Sequence, residues 1–452
     1  MSMHPFAIRG NVVLPEKVLY NATITIANEK VTGIFQDEKN IPAEEVLDAE
    51  GSYIIPGCID AHVHCFSSPE EGFVSAGRAA AAGGVTTMIE MPYDASGMIC
   101  TSRLFTDKKK KLEKEAVVDT ALLATIKKKD GLDEIPMLAK EGACGFKISM
   151  FNTNPVRFPR IDDGEMLDAF YAIARTGLPV GIHAENDEIV RNYMDKYKSE
   201  GVADPRAHCW SRPRAAESAA VLTAMELAHW SGVRLHVYHS SFPRIFDLID
   251  IFRSQGTKVT AETCPHYLVL NEEDMLHVKA RGKINPPLRS MEEANKLWEQ
   301  IRLGRVDIVT SDHAPWLIES KSKADIFQNS SGAPGVETLL PILYSEGVAE
   351  GRITILELVR LLCENPARIF GLDHCKGKIA VGMDADLVII NPQERYTLDE
   401  KQLHSTAGWS PFHGKKLQGR ITHTFLRGKI LFDGQVRGRP GEGKFVRPAG
   451  RV

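Results

Sequence analysis

Two histidines one residue apart, His62 and His64, lie in the segment GCIDAHVHCF and could supply two ligands to a metal ion. Imidazole nitrogens bind zinc and similar divalent ions. The chain has 15 histidines in 452 residues, so a pair with this spacing also arises by chance. The pair therefore indicates a metal site only if the fold brings other ligand-type side chains to it.

Further ligand-type residues follow apolar segments elsewhere in the chain. His183 lies in GIHAEN, His239 in HVYHSS, Asp312 in SDHAP and Lys147 in GFKISM. Imidazole and carboxylate groups bind divalent metals, whereas a lysine ammonium has no lone pair and repels cations. From its residue chemistry alone, Lys147 is therefore either a contact for a substrate anion or an ion-pair partner.

The middle of the chain alternates strand-length apolar segments with helix-length amphipathic segments. Eight candidate strands lie at residues 53–64, 84–92, 118–126, 143–150, 178–185, 233–241, 258–266 and 306–315. This alternation is typical of a parallel sheet, and eight strands are the number that closes a (β/α)8 barrel. An open doubly wound sheet is the alternative, but no glycine-rich phosphate loop follows the first strand. The predicted fold class is α/β, with a (β/α)8 TIM barrel.

Both ends of the chain consist of short strands and turns, for example in VLYNATITIANEKVTGIFQ near the start and RITHTFLRGKILFDGQV near the end. Neither end is typical of an independent domain, so we expect the termini to meet in one small sheet domain. The predicted division assigns residues 1–56 and 376–452 to this domain and residues 57–375 to the barrel.

The ligand-type residues follow predicted strands at the end where barrel enzymes have their active sites. The four histidines and Asp312 follow the first, fifth, sixth and eighth strands. Five protein ligands exceed the three of a mononuclear catalytic site, so two metal ions are expected.

Side-chain alternation along a strand separates candidate ligands from their neighbours. If His239 points into the barrel, Leu235 and Val237 point the same way, and His236 faces the outer helices as a structural histidine. By the same argument His313 does not share the face of Asp312 and can reach the site only from a loop.

The bulk composition is that of an ordinary globular protein, with 43% hydrophobic and 25% charged residues. A net charge of −4 gives no reason to expect nucleic acid or an anionic membrane as partner. None of the eight cysteines forms a Cys-x-x-Cys pair, which argues against a zinc ribbon or a redox dithiol. Neither a signal-peptide pattern nor an uninterrupted apolar membrane span is present, so the cytoplasm is the expected location.

The segments DAHVH, GFK, GIHAEN, HVYHSS and SDHAP together resemble the amidohydrolase superfamily in its cyclic-amidohydrolase branch. That branch contains allantoinase, hydantoinase (dihydropyrimidinase) and dihydroorotase. The resemblance extends over essentially the whole chain, because ADLVIINP and the hairpin after it are similar to the small β-sandwich that these enzymes build from both termini. It also implies a homo-oligomer, commonly a tetramer.

The resemblance implies a binuclear centre, expected to hold zinc, with six ligands: His62, His64, Lys147, His183, His239 and Asp312. Asp312 would join the two histidines of the first strand at the more buried ion. Lys147 would bridge both ions as a lysine carboxylated by CO2. A hydroxide shared by the two ions would attack the carbonyl of a cyclic amide, and Asp312 would pass its proton to the leaving ring nitrogen.

Some positions bear on which ring is opened. Phe66 replaces the arginine with which similar dihydroorotases bind the substrate carboxylate, and Phe151 and Asn152 replace the tyrosine of D-selective hydantoinases. The segments RAAAAGGVTTMIEMP, SRPRAAESAA and ETCPHYLVL are similar to allantoinase and L-hydantoinase. We therefore predict conversion of allantoin to allantoate, a step of purine metabolism. The alternative is a hydantoinase-like or dihydropyrimidinase-like hydrolase of another cyclic amide or imide.

Four residues are predicted to contact the substrate: Phe66, Phe151, Asn285 and Gly335. The two phenylalanines predict a pocket more apolar than a polar ureide needs, and Asn285 stands where allantoinases usually have serine. A non-catalytic scaffold is the rival from another class, but such a protein has little reason to hold all six ligand positions. A deaminase or phosphotriesterase on the same barrel is disfavoured by Lys147.

Overall fold

The structure, a computed structural model, describes residues 4–36 and 41–449. The outermost parts of the predicted terminal domain, residues 1–3 and 450–452, and its residues 37–40 lie outside the described residues. None of the described helices is both long and apolar enough to cross a membrane.

The elements alternate between strands and helices through most of the chain. In chain order the strands are β1 (His4–Val13), β2 (Val18–Ala27), β3 (Lys30–Gln36), β4 (Ala43–Pro56), β5 (Cys58–Val63), β6 (Val85–Glu90), β7 (Tyr93–Asp94), β8 (Gly97–Met98), β9 (Asp119–Leu122), β10 (Phe146–Ser149), β11 (Pro179–His183), β12 (Arg234–Val237), β13 (Val259–Thr263), β14 (Ile308–Val309), β15 (Leu387–Thr397), β16 (Lys416–Leu426) and β17 (Lys429–Phe432).

The α-helices are α1 (Gly72–Ala82), α2 (Ser102–Glu115), α3 (Glu134–Glu141), α4 (Asp163–Ala174), α5 (Asp187–Ser199), α6 (Ala207–Trp210), α7 (Arg214–Ser231), α8 (Arg244–Ser254), α9 (Pro265–Val269), α10 (Met275–Val278), α11 (Met291–Arg302), α12 (Leu339–Leu343), α13 (Ile355–Val359) and α14 (Asn365–Phe370). Short π-helical segments, Tyr344–Ala349 and Arg360–Glu364, follow α12 and α13. Five 3-10 turns complete the helical structure: Glu272–Asp274, Lys279–Gly282, Ile318–Lys321, Ile326–Gln328 and Glu400–Gln402.

A barrel of parallel strands occupies the middle of the chain and confirms the predicted (β/α)8 architecture. One sheet has the order β5-β6-β9 and the other has the order β10-β11-β12-β13-β14. Parallel bridges from Ala124 to Phe146 and from Val63 to His313 join the two sheets at both seams. The strands are buried on both faces, which is why apolar residues occur on both faces of a strand instead of alternating regularly with polar ones.

Inside the barrel, a small residue faces a large one. A Cβ on Gly181 would lie 2.0 Å from the ring of Tyr238, so the glycine leaves room for the tyrosine in the barrel interior. Outside, α7 buries alanine, valine and methionine side chains at helical spacing and ends at Gly232, which adopts φ 69°. The helices therefore cover the barrel and leave its mouth to the loops.

Both chain ends form one seven-stranded sheet, as the sequence predicts. Its order is β17-β16-β15-β4-β1-β2-β3, so β4 pairs with strands from each end of the chain. Apolar side chains such as Ile24, Leu387 and Phe425 fill the core of this β-sandwich. β4 ends at Pro56, and the first barrel strand begins at Cys58. Domain boundaries at residues 57 and 375 stay a prediction.

A buried ion-pair network joins the barrel to the terminal sheet. Lys376 Nζ lies 2.6 Å from Asp119 Oδ2 at the start of β9, 2.9 Å from Asp384 Oδ2 and 2.6 Å from Asp386 Oδ2. Arg427 forms a second ion pair with Asp119. The three carboxylates are close enough to suggest a metal site, but the Lys376 ammonium already contacts all three, and Arg427 and Lys30 pair with two of them. Burial opposes the charge of Lys376, yet the carboxylates raise its pKa.

Replacing Lys376 with methionine is expected to lower the free energy of unfolding by about 3–5 kcal/mol, because buried carboxylates lose their counterion. Denaturant-induced unfolding measures this change. The control is Lys30→Met, which removes another partner of Asp384 at a side chain that is 43% exposed. There the expected loss is about 0–1 kcal/mol. Equal effects of the two substitutions would contradict a structural role for the network.

Candidate active site

The structure brings the six predicted ligand residues to one end of the barrel. Each lies in or directly after a barrel strand, and each is at most 8% exposed: His62, His64, Lys147, His183, His239 and Asp312. This end is the carboxyl end of the strands, where barrel enzymes bind substrates.

One group of metal-donor side chains consists of Asp312, His62 and His64. His62 Nε2 lies 3.1 Å and His64 Nε2 lies 3.7 Å from Asp312 Oδ1. One ligand atom from each of these residues lies within 4.8 Å of the others. Lys147 Nζ lies 2.8 Å from His62 Nε2, so the amine borders the same space.

A second group of donors consists of His183 and His239. His183 Nδ1 lies 2.9 Å from His239 Nε2. The two groups adjoin each other, because the ring centroids of His62 and His239 are 5.4 Å apart. Two sites for cations side by side are the arrangement that a binuclear centre needs.

Carboxylates outside the centre fix the proton on two of these imidazoles. His62 Nδ1 donates to Glu262 Oε1 over 2.6 Å, and His183 Nε2 donates to Glu185 Oε2 over 2.9 Å. The other nitrogen of each ring therefore faces the centre with a free lone pair. This pairing of carboxylate and histidine is typical of metal sites.

The electrostatics also suit metal binding. Burial lowers the pKa of His62, His64 and His239, which keeps the imidazoles neutral, and neutral imidazole is the form that binds metals. Within the described residues, His64 Nδ1 and His239 Nδ1 are buried without a hydrogen-bond partner. Unpartnered buried donor atoms are costly unless a ligand satisfies them. The donor set therefore fits divalent cations.

Lys147 is the exception in this donor set. Burial lowers its pKa to about 8, although Asp312 and Glu262 raise it. An ammonium at this position would oppose cation binding, whereas the neutral amine can react with CO2. Its low pKa makes the neutral form accessible near neutral pH.

The predicted orientation of His236 is wrong. Leu235 and Val237 belong to the cluster that packs on the helices, whereas the ring of His236 lies 4.9 Å from Tyr238 inside the barrel. The reason is local: β12 ends at Val237, and His239 adopts φ 39°. Because its backbone lies in the left-handed region, His239 directs its imidazole into the site. Regular side-chain alternation along the strand would not place it there.

Glu262 on β13 is a residue that the sequence did not single out. Its fully buried carboxylate accepts from His62 Nδ1 and, over 3.1 Å, from the backbone N–H of His239. The other oxygen lies 3.2 Å from His236 Nε2. The sequence feature that could have identified it is a carboxylate within the seventh predicted strand, in the segment KVTAETC. Glu262 links both groups of donors.

His313 has a structural position. Its backbone N–H donates to the carbonyl of His62 over 3.2 Å, and its Nδ1 accepts from the N–H of Gly335 over 3.0 Å. The ring does not line the cavity beside the centre. It fixes the loop that follows β14.

A cavity of about 430 Å³ opens beside the candidate centre. Phe151 and Asn285 line it, whereas Phe66 and Gly335 do not, and contact of these four residues with the substrate stays a prediction. The Phe66 ring packs edge-on against Phe73 at 4.9 Å. Most lining side chains are polar or charged, and several aromatic side chains lie among them.

Comparison with known proteins gives a consistent result. The model of the amidohydrolase family matches residues 53–431. The allantoinase of Rubrobacter xylanophilus is 37% identical over 99% of this chain and 98% of its own length. The L-hydantoinase of Paenarthrobacter aurescens is 34% identical over 94% of each chain.

A solved structure agrees with these relatives. The L-hydantoinase (dihydropyrimidinase) from Arthrobacter aurescens superimposes with a TM-score of 0.95 and 33% identity. The match covers 98% of this chain and 100% of that one. The similarity therefore includes the barrel and the terminal sheet.

Proposed function

This chain belongs to the amidohydrolase family, and from that premise we propose that it opens the ring of a cyclic amide or ureide at a binuclear metal centre. The observation that carries the proposal is the convergence of six ligand-type side chains at the barrel mouth, beside a cavity large enough for a substituted ring. Hydrolysis breaks the ring C–N bond and leaves a carboxylate and a carbamoyl group.

We assign the ligands as the resemblance implies. His62, His64 and Asp312 would hold one cation, His183 and His239 would hold the other, and zinc is the expected metal. When bound, the cations polarise the ring carbonyl and lower the pKa of water.

Lys147 contributes through a covalent change of its amine. The neutral Nζ attacks the carbon of CO2, forms an N–C bond and releases one proton. The resulting carbamate has the charge and the two oxygens of a carboxylate, so it can bridge two cations. Its formation removes the positive charge that lies 2.8 Å from His62 Nε2.

Asp312 moves the proton of the reaction. Burial raises its pKa, and the side chain lines the cavity. The carboxylate accepts a proton from the attacking water and delivers it to the ring nitrogen when the C–N bond breaks. This transfer avoids expulsion of a nitrogen anion.

Allantoin is the first candidate substrate, because the allantoinase of Rubrobacter xylanophilus is 37% identical to this chain. Hydantoins are the second candidate, favoured by the TM-score of 0.95 to an L-hydantoinase. Both compounds contain the same five-membered ring and differ in its substituent. A cytoplasmic homotetramer and a role in purine metabolism stay predictions from the resemblance.

Product release from a panel of rings tests the proposal. The panel contains allantoin, substituted hydantoins, dihydrouracil, dihydroorotate and cyclic imides, and each is assayed with metal-loaded protein. We expect turnover of hydantoin-type rings. A protein that contains metal and opens none of these rings would contradict the proposed function.

Replacing Glu262 with glutamine is expected to weaken metal binding by about 10- to 100-fold, because the neutral amide no longer fixes the proton on His62 Nδ1. Titration of the metal-free protein with zinc, followed by calorimetry, measures the affinity. The control is Thr260→Val, which removes a 2.8 Å hydrogen bond to His236 without touching a proposed ligand. Unchanged affinity in the Glu262 variant would show that the carboxylate does not position the ligands.

A further inference from the structure

The cavity beside the candidate centre has a surplus of positive charge. Its charged lining side chains are Lys147, Arg157, Arg212, Lys283 and Asp312. Lys147 and Asp312 belong to the proposed metal centre. The three side chains that remain for the substrate are all cations.

Only one of these three cations has a carboxylate partner among the described residues. Arg212 Nη1 lies 2.5 Å from Glu185 Oε2. A guanidinium in contact with a carboxylate makes this pair neutral overall. Arg157 and Lys283 donate only to backbone carbonyl oxygens.

Lys283 is the more buried of the two cations without a counterion. The residue is 6% exposed, and its Nζ donates to the carbonyl of Phe327 over 3.2 Å and to that of Asn329. Burial, and then the charge of Arg212, lower its pKa to about 7. A buried cation beside a second cation is stabilised when an anion binds between them.

Neighbouring polar atoms are also free to bind a ligand. Asn285 lines the same cavity, and its Oδ1 is buried without a hydrogen-bond partner in the described part of the chain. Nε of Arg212, which is 3% exposed, likewise has none. A side-chain amide both donates and accepts, so it can pair with the amide edge of a ring. The ring and an anionic group would then lie side by side.

We propose that the ring opened by this protein has an anionic substituent, a carboxylate or a similar group, which binds beside Lys283 and Arg212. The inference rests on the proposed function and narrows its substrate class. Hydantoins with a carboxymethyl or carboxyethyl substituent fit this description. Within the proposed function, the inference therefore places them ahead of allantoin, whose ureido substituent is neutral. The substituent itself does not react.

Two matched substrates test the inference without any substitution. One is hydantoin with a carboxymethyl substituent, and the other has a carbamoylmethyl group, which has the same shape and no charge. We expect kcat/KM to be about 10- to 100-fold higher for the acid, because hydrogen bonds to charged groups are the stronger ones. An equal or higher value for the amide overturns the inference and leaves ring opening intact. Failure to open any ring overturns the proposed function instead.

The selectivity ratio of these two substrates also assigns the site to Lys283. Lys283→Met is expected to bring the ratio to about one, and Lys283→Arg is expected to keep most of it. The control is Lys198→Met, which removes an exposed lysine whose charge also acts on Lys283. A ratio that persists in Lys283→Met, or that falls equally in Lys198→Met, overturns the assignment.

The pH dependence of the ratio gives a second readout in the unchanged protein. Lys283 is charged below its pKa of about 7 and neutral above it, so the preference for the acid should fall as pH rises through that value. The groups whose charges act on Lys283, or on which its charge acts, are Arg212, Lys198, Asp325, His208 and Lys321. Burial keeps His208 neutral in this range. A fall of the same size in Lys283→Met, or a ratio that rises with pH, overturns the role of Lys283.

Discussion

Replacing Lys147 with alanine is expected to lower kcat/KM for ring opening by about 10³-fold or more, because several kcal/mol of transition-state stabilisation depend on the metal centre. The protein should also lose most of its bound metal. Lys147 Nζ lies 2.8 Å from His62 Nε2, and the residue is 3% exposed, so its side chain is part of the proposed centre. Steady-state kinetics and elemental analysis measure the two losses.

Rescue by a small acid distinguishes a missing ligand from a damaged fold. Alanine leaves a space that a short carboxylic acid such as propionate can enter, and its carboxylate can replace the carbamate. Lys147→Met fills that space and is the matched control. We expect propionate to restore part of the activity of the alanine variant and none of that of the methionine variant. An alanine variant with full activity would mean that the site is wrongly assigned.

Carboxylation of Lys147 has its own spectroscopic test. Protein equilibrated with isotopically labelled bicarbonate should show a carbamate carbon signal, and the alanine variant should not. Burial favours this chemistry because it lowers the pKa of Lys147 to about 8 and makes the neutral amine available. The signal reports on the modified lysine independently of turnover.

The barrel was predictable from the sequence because its strands are buried on both faces. Segments such as AVVDTALLATI around β9 are mostly apolar, and the helices between the strands are amphipathic. This contrast between strands and helices can be recognised from the sequence without any knowledge of tertiary contacts. The ends of the strands then locate the candidate ligands, since all parallel strands present their carboxyl ends on one side.

Side-chain alternation does not predict which way a residue points beyond the end of its strand. His239 adopts φ 39° and Asp312 adopts φ 48°, and both follow the last residue of their strands. His236 was misplaced because alternation was extended through such a turn. A backbone conformation in the left-handed region depends on surrounding contacts, which the local sequence does not contain.

Long-range contacts explain the other differences. Glu262 is 200 residues from His62 along the chain, so its hydrogen bond to that histidine can be recognised only after the barrel closes. Phe66 was placed in the pocket because it stands where similar dihydroorotases have a substrate-binding arginine. The structure instead buries it against Phe73 in the outer core. Loop residues take positions that their packing partners decide.

Asp312→Asn is the second substitution with a large expected effect. Asparagine keeps the shape of the side chain and tolerates the left-handed φ of 48°, so the backbone should not change. The amide cannot accept and return a proton. We expect kcat to fall by about 10²- to 10⁴-fold, the usual contribution of a general acid–base group. Much of the metal should remain, because His62, His64 and the second donor group are intact.

Rings that differ in the basicity of the leaving nitrogen test whether the activity loss in Asp312→Asn reflects proton transfer. A ring whose departing nitrogen is a weaker base needs less protonation as the C–N bond breaks. Asp312→Asn should therefore lose less activity on a cyclic imide than on hydantoin, whereas mere loss of metal would reduce both rates equally. If the variant with full metal content keeps its activity within about tenfold, Asp312 is not the proton-transferring group. A different side chain at the cavity would then have to supply the proton.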